Sequence, residues 1–367
     1  MATENWIMAK RVYTKIVGTG SYIPSRVISN DYFKEYTFFD PCTKLPLEKS
    51  NHEIIQKFKE ITNISERRWI TDELLNSDMA TLAVKDACES ANIDPETLDF
   101  ILVGHNYGDV NTGSTQVDLL PSLANKVKAK MNIQNPACIC HDIISGCPGW
   151  TQGMIVADAY IRSGIYTRGV VVGSDVLSRI ADPHDRDTMI YADGAGATIV
   201  EAIESEEPIG ILSHSSRSDS VNYWNLLTNG DSFNPELNGN LQFIKMAGHK
   251  LYVYALSYVP GVVKESIEKA GLQLGDIKKV LIHQANEKMD EAILKNVFKL
   301  YNEKNIPEGI MPMSIEHLGN SSSATVPTLL DLILKGRMEG QVINVGDYII
   351  LCSVGAGMNI NSIVYKV

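Results

Sequence analysis

Hydrophobic and polar positions follow the same order in two distant stretches of the chain. Residues 91–103 (ANIDPETLDFILV) and residues 270–282 (AGLQLGDIKKVLI) each predict the end of a helix, a short polar link and an apolar strand. The second stretch begins 179 positions after the first, and the same offset places GVVVGS at 169–174 over YIILCS at 348–353. Two separate matches at one offset indicate that the chain is a duplicated α/β unit.

Such a duplication predicts the architecture. Because strands and helices alternate along both stretches, we expect mixed sheets that enclose buried helices, which is an α/β fold. We place the first half at residues 11–206 and the second half at residues 207–367. A pseudo-twofold relation between the halves brings their equivalent loops toward one central place.

One cysteine lies at the junction of a predicted strand and a predicted helix. Residues 137–144 (ACICHDII) are typical of a strand, SGCPG at 145–149 is typical of a tight bend, and residues 150–164 carry apolar side chains at helical spacing. Cys147 therefore lies at the start of a helix, with Pro148 near its first position. We expect the positive end of the helix dipole to favour the thiolate. A nucleophile and a packed structural thiol both fit this geometry.

The repeat points to partners for this thiol. At the same offset Cys147 falls on Val326. Gly104 falls on His283, the first residue after a predicted strand of the second half. Asn320, in the segment HLGNSSSATVP, lies on the loop that corresponds to the loop before Cys147. We therefore predict one pocket shared by Cys147, His283 and Asn320; the alternatives are a structural histidine and an asparagine that caps a turn or helix.

Composition limits the classes of function. The chain has 367 residues, of which 44% are hydrophobic and 21% charged, and its formal net charge is -11. This charge argues against non-specific binding of nucleic acid, which depends on neutralising phosphates. Because no run of eighteen apolar residues occurs and the start, MATENWIMAK, lacks the features of a secretion signal, we expect a soluble, cytoplasmic protein without a membrane span. Any acidic partner would need a local basic patch.

The other five cysteines give no sign of a metal site. They lie at positions 42, 88, 138, 140 and 352, without paired spacing or a neighbouring histidine cluster, which argues against zinc. Cys88 and Cys352 occupy apolar stretches typical of buried positions, and Cys138 alternates with Cys140 along a predicted strand. We expect structural roles for these four cysteines.

Eight segments, in this order and spacing, resemble one known family almost from end to end. They are YTKIVGTGSYIPSRVISN (13–30), NISERR (63–68), GCPGWTQGMIVADAYIRSG (146–164), VVVGSDVLSRIADPHDRDT (170–188), YADGAGATIV (191–200), KMAG (245–248), HQAN (283–286) and GNSSSATVP (319–327). The family that they resemble is β-ketoacyl-acyl-carrier-protein synthase III, within the thiolase fold superfamily. The resemblance implies a duplicated thiolase fold with five layers in the order α/β/α/β/α.

The resemblance also implies roles for the residues of the predicted pocket. Cys147 matches the acyl-accepting nucleophile of the family, and His283 and Asn320 match its catalytic histidine and asparagine. The implied reaction is a Claisen condensation in which the thiol takes an acyl group from a thioester carrier, and malonyl-acyl carrier protein then loses carbon dioxide and attacks it. The backbone at Cys147, Ala356 and Gly357 corresponds to the oxyanion hole. No metal or redox cofactor is implied, because coenzyme A or acyl carrier protein thioesters are the substrates.

The carriers are acidic, and the resemblance implies basic residues for them. Arg186 matches the arginine that stacks on the adenine of coenzyme A, a role suited to a planar guanidinium. Lys288 and Lys295 fall where the family has basic residues for the carrier, although a solvated helix face is the alternative. Where the family has an adenine-stacking aromatic and an arginine, this chain has Lys57 and Ile61. This departure favours a carrier protein as the acyl donor.

Acyl chain length depends on one further position. Leu120 matches the place where a bulky aromatic caps the acyl pocket across the interface of the family's homodimer, and we expect a homodimer here. The smaller side chain leaves room for a longer acyl group. The segments 38–53 and 107–120 are longer than the family norm, and the alternative is that these inserted residues fill that room again.

Two enzyme functions therefore remain. One is the initiating synthase of fatty acid synthesis, and the other is a specialised relative that condenses longer acyl or β-ketoacyl thioesters in alkylresorcinol, pigment or similar pathways. A cysteine hydrolase fits less well, because the chain lacks a distinct acidic triad member. A non-catalytic synthase subunit would be expected to have lost the cysteine or the histidine.

Overall fold

The computed structural model describes residues 11–237 and 241–367. The strands in these ranges are β1 (Arg11–Tyr22), β2 (Arg26–Ser29), β3 (Glu66–Trp69), β4 (Phe100–His105), β5 (Asp109–Val110), β6 (Val117–Asp118), β7 (Ile139–Ile144), β8 (Arg168–Val176), β9 (Asp193–Ser205), β10 (Gly210–Ser218), β11 (Leu227–Gly230), β12 (Phe243–Met246), β13 (Ile277–Ile282), β14 (Tyr348–Gly355) and β15 (Asn359–Lys366).

The helices are α1 (Asn51–Thr62), α2 (Asn76–Ala91), α3 (Leu123–Lys130), α4 (Gly149–Arg162), α5 (Ser220–Tyr223), α6 (Gly248–Lys269), α7 (Glu287–Leu300), α8 (Ile315–Leu318) and α9 (Thr325–Leu334). Within the described ranges, none of these helices combines the length and the apolar character that crossing a membrane requires.

Two large sheets share one topology. The first sheet has the strand order β1-β9-β8-β4-β7, and the second has the order β10-β15-β14-β13. Both sheets contain an equivalent parallel pair, β4 with β8 and β13 with β14. In both, the long strand beside that pair, β9 or β15, runs antiparallel to its two neighbours. The four strands of the second sheet therefore repeat four strands of the first, which confirms the predicted duplication. Strand β7 lies at the edge of the first sheet beyond this repeat.

Alternation of side chains along the inner strands explains the layers. In β8, Val170 and Val172 belong to a core cluster with α2 and α3, whereas Val171 belongs to a cluster with α4 and α9. This period of two places one face of the sheet against each helical layer. Cys88 and Cys352 are buried free thiols in the two outer clusters, as the apolar sequence around them predicts.

The central layer consists of α4 and α9. Helix α4 buries Trp150, Met154 and Ile161 on one face, and these side chains pack with Leu329 of α9 and with strands of both sheets. Helices α2 and α3 cover the outer face of the first sheet, and α6 and α7 cover the outer face of the second. The structure thus has the predicted thiolase fold, with five layers in the order α/β/α/β/α.

One close approach of backbones positions the loop before α9. A side chain at Gly173 of β8 would overlap the carbonyl of Ser323, so only glycine lets this loop lie directly on the strand. The hydroxyl of Ser323 then donates to a carboxylate oxygen of Asp175 at 2.6 Å, and its oxygen lies 3.0 Å from the carbonyl oxygen of Gly104. These contacts bring the loop of the second half to the carboxyl ends of β4 and β8.

A buried carboxyl group in α7 generates a prediction about stability. Asp290 is 0% exposed, and among the described residues neither of its carboxylate oxygens has a hydrogen-bond partner. Burial, and then the nearby Glu287, raise the pKa of this carboxyl well above its usual range. Since the native state holds the proton to higher pH than the unfolded chain does, Asp290 lowers the stability of the fold as pH rises above the ordinary carboxyl pKa.

We therefore expect Asp290→Asn, which does not ionise, to resist urea better than the wild type at about pH 8, and to lose most of this advantage at about pH 5. Urea unfolding at both pH values measures the difference. Glu291→Gln on the same helix is the control, because that glutamate is exposed and its ion pair with Lys295 at 3.7 Å contributes little. Parallel stability curves for Asp290→Asn and the wild type would contradict the prediction.

Candidate active site

Cys147 lies in a tight turn between β7 and α4. Gly146 adopts a left-handed backbone conformation with φ of +65°, and the N–H of Gly149 closes the turn on the carbonyl of Gly146 at 2.9 Å. A side chain at Gly146 would also lie 2.7 Å from the backbone nitrogen of Ala356. Glycine is required here for both reasons, and the turn delivers Cys147 to the first turn of the central helix.

The structure brings the three predicted residues together around Ser322. The hydroxyl of Ser322 lies 3.2 Å from the sulfur of Cys147, and its backbone N–H donates to Oδ1 of Asn320 at 2.8 Å. The backbone of Ser322 also faces the imidazole of His283, the residue that directly follows β13. One loop residue therefore contacts the cysteine, the histidine and the asparagine that the duplicated sequence predicts for one pocket.

His283 is held as a neutral imidazole. Its side chain is 2% exposed, and its backbone N–H donates to the carbonyl of Cys352 on the neighbouring strand at 2.8 Å. Burial lowers the pKa of this imidazole to about 4, and the Ser322 backbone opposes the shift only in part. At neutral pH the ring therefore carries one N–H, which can donate to an oxygen that gains negative charge.

The resting state of Cys147 differs from the prediction. Burial raises the pKa of this thiol to about 12, and the negative charge of Asp175 acts in the same direction, while the hydrogen bond from Ser322 opposes them. The expectation that the helix N-terminus favours the thiolate is thus wrong for the resting protein. The physical reason is that the protein atoms around the half-buried Cys147 remove part of the hydration of its sulfur, and this loss disfavours the charged form.

The turn at Ala356–Met358 lies beside the turn that holds Cys147, because Ala356 packs closely on Gly146. Each of the three backbone carbonyls of this turn accepts a hydrogen bond from a neighbouring protein group. The carbonyl of Ala356 accepts from Nδ2 of Asn359 at 2.9 Å, that of Gly357 from the hydroxyl of Ser220 at 2.9 Å, and that of Met358 from the hydroxyl of Tyr254 at 3.0 Å. This arrangement holds the predicted oxyanion residues in place next to Cys147.

A polar network behind the cysteine was missed by the sequence reasoning. Asp175 near the end of β8 accepts hydrogen bonds from Asn106, which follows β4, and from Ser323, and Asn106 in turn reaches Ser322. Burial raises the pKa of the Asp175 carboxyl, and these hydrogen bonds limit the rise. The signal in the sequence was the position of Asn106 and Asp175 at the carboxyl ends of apolar strands, where α/β folds carry polar site residues.

A cleft leads from the surface to this region. It has a volume of about 330 Å³, and its walls come from the ends of β4 and β7, from strand β11 and from the turn at Ala356–Met358. Its lining residues are Asn106, Tyr107, Ile144, Ser145, Gly146, Leu227, Thr228, Asn229, Ile244, Ala356, Gly357 and Asn359. The long segment 107–120 contributes Tyr107, whose hydroxyl hydrogen-bonds to Asn229 across the cleft wall.

The basic residues predicted for carriers lie on two surfaces. Lys288 lines a groove of about 480 Å³ between α1 and α7, together with Lys59, Glu60, Asn63 and other polar residues. Lys295, one turn further along α7 beyond Glu291, is exposed and pairs with that glutamate at 3.7 Å. Acidic side chains therefore flank both lysines, so the groove is mixed in charge rather than basic.

Arg186 lies on the loop after β8, half exposed, and the long segment 38–53 packs on this loop. The backbone N–H of Phe39 donates to the carbonyl of His184 at 2.9 Å, and the two rings meet edge to face. Leu120, the residue predicted to border the acyl pocket, follows β6 and is 88% exposed in the single chain. In the described part of the chain no three His, Cys, Asp or Glu side chains gather in a metal-binding arrangement.

Known proteins of one family match this chain over nearly its whole length. Two family models match it, 3-oxoacyl-[acyl-carrier-protein (ACP)] synthase III over residues 141–220 and the C-terminal part of the same synthase over residues 267–367. The β-ketoacyl-[acyl-carrier-protein] synthase III of Caldanaerobacter subterraneus subsp. tengcongensis is 32% identical over 365 residues, which cover 98% of this chain and 99% of the relative. The synthase of the same name from Xanthomonas campestris pv. campestris is 31% identical over 342 residues, covering 92% and 94%.

A solved structure extends the agreement to the fold. The crystal structure of 3-oxoacyl-[acyl-carrier-protein] synthase III from Aquifex aeolicus is similar with a TM-score of 0.77 at 28% identity, over 96% of this chain and 100% of that protein. Fold and comparisons together assign the chain to the thiolase-fold condensing enzymes, which are acyltransferases. Within that class, the chain belongs to the 3-oxoacyl-[acyl-carrier-protein] synthase III family.

The low pKa of His283 generates a prediction about pH. We expect the imidazole to remain neutral until the pH approaches about 4, whereas an unfolded histidine takes up its proton near 6.5. Stability of the native state should therefore fall as the pH falls from 6.5 toward 4, because the unfolded chain binds the extra proton in this window. NMR of protein labelled at histidine measures the titration, and His283→Gln identifies the signal. A titration midpoint near 6.5 for that signal would contradict the buried, neutral assignment.

Proposed function

We propose that the protein transfers an acyl group from a thioester carrier to Cys147 and then condenses it with malonyl-acyl carrier protein, which gives a β-ketoacyl thioester for fatty acid biosynthesis. The observation that supports this most is that Cys147, His283 and Asn320 all contact Ser322, beside the turn at Ala356–Met358. Membership of the synthase III family supports the same reaction.

In the first step, the sulfur of Cys147 attacks the carbonyl carbon of the acyl thioester. A new C–S bond forms, the C–S bond to the carrier breaks, and the proton of the Cys147 thiol ends on the departing carrier sulfur. The tetrahedral intermediate places negative charge on the former carbonyl oxygen, where the backbone N–H of Cys147 and that of Ala356 would donate. Because the thiol is protonated at rest, proton removal is part of this step.

In the second step, malonyl-acyl carrier protein loses carbon dioxide. The electron pair of the broken C–C bond becomes an enolate, whose oxygen accepts from the neutral His283 ring and from the amide of Asn320. Oδ1 of Asn320 is already bound by the backbone N–H of Ser322, so its NH₂ group remains for the substrate. The carbanion then attacks the acyl carbon, the C–S bond to Cys147 breaks, and the released thiolate takes a proton from solvent.

Arg186, Lys288 and Lys295 are proposed as contacts for coenzyme A or acyl carrier protein. The support is that carriers are acidic and that the chain has a net charge of -11, so attraction depends on local cations. The groove that contains Lys288 also contains Glu60, Glu287 and Glu291. Such a mixed groove would select a carrier with a complementary charge pattern rather than any polyanion.

A homodimer is proposed through the edge of the first sheet. Strand β7 is an edge strand, and Ile144 at its end is 63% exposed next to the turn that holds Cys147. An edge strand with an exposed apolar side chain is a template for pairing with a second copy. In such a dimer Leu120, which projects from the chain, would border the acyl pocket of the other subunit.

A second candidate is a specialised condensing enzyme for longer acyl or β-ketoacyl thioesters, as in alkylresorcinol, pigment or other secondary lipid pathways. The observation that favours it is Leu120, which stands where a bulky aromatic would shorten the pocket. Leu120 is exposed in the single chain, so the length of the acyl pocket depends on how two chains assemble.

Acylation of Cys147 distinguishes these functions. We expect wild type incubated with acyl-coenzyme A and acyl-carrier thioesters to gain the mass of the acyl group, and Cys147→Ala to gain none, because this thiol is the proposed acceptor. Intact-protein mass spectrometry measures the gain over a series from short to long chains. Loading of short chains alone supports the initiating synthase, whereas loading of longer chains supports the specialised enzyme.

The control for this experiment is Cys42→Ala, which removes the exposed cysteine and should leave the mass gain unchanged. No adduct in the wild type with any donor, or an equal adduct in Cys147→Ala, would contradict the proposed function.

The carrier contacts can be tested through KM. We expect Lys288→Ala and Lys295→Ala each to raise KM for malonyl-acyl carrier protein about threefold at low salt, with kcat little changed, because exposed charges act on encounter more than on chemistry. Steady-state kinetics at low and high salt measure the effect, which should shrink at high salt. Lys269→Ala on α6 is the matched control, since that exposed lysine pairs with Glu265 on its own helix at 2.7 Å. Equal KM values for all three variants would contradict the assignment.

A further inference from the structure

A polar network behind Cys147 has no role in the proposed acyl transfer and condensation steps. It consists of Asn106, Asp175, Ser322 and Ser323, which join the ends of β4 and β8 to the loop before α9. The two serines and the aspartate are buried, and Asn106 is half-buried in the wall of the cleft. Buried polar groups are costly unless they are paired, so a network of this kind at the nucleophile calls for a functional reason.

The directions of its hydrogen bonds can be assigned. Backbone N–H groups can only donate, and they reach both carboxylate oxygens of Asp175, from Asn106 to Oδ1 at 2.7 Å and from Ser323 to Oδ2 at 3.1 Å. The carboxylate therefore acts as an acceptor. The side-chain atom of Asn106 that lies 2.9 Å from Oδ2 must then be its NH₂ nitrogen, not its carbonyl oxygen.

This assignment fixes the hydroxyl of Ser322. The same NH₂ group of Asn106 lies 2.7 Å from Oγ of Ser322, so it donates its second hydrogen to that oxygen. The hydrogen of the hydroxyl must point elsewhere, and the sulfur of Cys147 lies in reach at 3.2 Å. The network thus ends in one O–H group aimed at the nucleophilic atom.

We propose that Ser322 is a further catalytic residue, whose hydroxyl donates a hydrogen bond to the sulfur of Cys147 and stabilises the thiolate that attacks the acyl donor. Asn106 is its positioning residue, because the amide sets the direction of the hydroxyl. The proposal rests on the proposed function, in which Cys147 is the nucleophile. Its role begins in the first step, when the thiol loses its proton, and repeats when the condensation releases the sulfur.

The backbone of Ser322 supports this role. Its φ of +54° lies in the left-handed region, which residues with a side chain rarely adopt. The surroundings hold this conformation, since the N–H of Ser322 is bound to Asn320 and the following residue is bound to Asp175. A strained residue that the surrounding network keeps in place at a reacting atom is characteristic of a functional site.

The electrostatic surroundings of the sulfur make one donor important. The titratable groups that act on it electrostatically are Asp175 from β8 and Tyr191 from the loop before β9. Neither group is a cation that would stabilise a thiolate. Among side chains in the described ranges, Ser322 is the donor that reaches the sulfur, and a hydrogen bond to a charged atom is stronger than a neutral one.

The test is the rate at which iodoacetamide alkylates Cys147, measured by peptide mass spectrometry at several pH values below the thiol pKa. We expect Ser322→Ala to react about threefold more slowly than the wild type at each pH, because a roughly tenfold loss of thiolate is partly offset by its greater nucleophilicity. Asn106→Ala should shift the rate in the same direction by less, since the hydroxyl remains but is no longer aimed. Acyl transfer from a thioester donor should slow in the same order.

Ser321→Ala is the matched control, because this neighbouring serine hydrogen-bonds to Thr325 at 3.4 Å rather than to the sulfur. In this variant iodoacetamide should alkylate Cys147 at the wild-type rate. Equal rates for Ser322→Ala and Ser321→Ala would overturn the proposal. If Ser322→Ala fails to fold, Asn106→Ala carries the test, and a wild-type rate in that variant would overturn it. Slower alkylation in Ser322→Ala, combined with a wild type that accepts no acyl group, would confirm the hydrogen bond and overturn the proposed function.

Discussion

The site depends on the close approach of two backbones at Gly173. Because this position has no side chain, the loop before α9 lies directly on the end of β8, and residues 320–323 of the second half reach the nucleophile of the first. Asp175 then anchors the loop with hydrogen bonds to the hydroxyl and the backbone of Ser323. Dense packing of backbone against backbone therefore positions the loop that carries Asn320 and Ser322 beside Cys147.

The same packing sets the electrostatics. Burial between the sheets keeps the imidazole of His283 neutral, with a single N–H, and keeps the thiol of Cys147 protonated at neutral pH. A neutral imidazole suits a hydrogen-bond donor to an enolate, and a protonated thiol avoids side reactions until a substrate arrives. Burial is the largest cause of both states, and neither pKa shift involves a neighbouring cation. Such a pocket is suited to act through hydrogen bonds rather than through an ion pair.

The fold and the three central residues could be predicted from the sequence, because apolar strands and their spacing are local signals that the duplication presents twice. The offset that pairs β4 with β13 also placed Gly104 over His283, and the motif around Asn320 followed. The network of Asn106 and Asp175 could not be predicted in the same way, since its contacts join residues far apart in the chain. The protonation of Cys147 was mispredicted for a related reason: the helix dipole is visible in the sequence, whereas desolvation depends on tertiary packing.

The shared central layer has a consequence for the order in which the chain is completed during synthesis. Helix α4 belongs to the first half, yet its apolar face packs against α9 and against β15, which ends at residue 366. The hydroxyl of Tyr365 even accepts a hydrogen bond from the backbone of Ile16 in the first strand. In an emerging first half, the face of α4 that packs on α9 and β15 therefore stays uncovered until those segments have been synthesised, and we expect the two halves to complete their folding together.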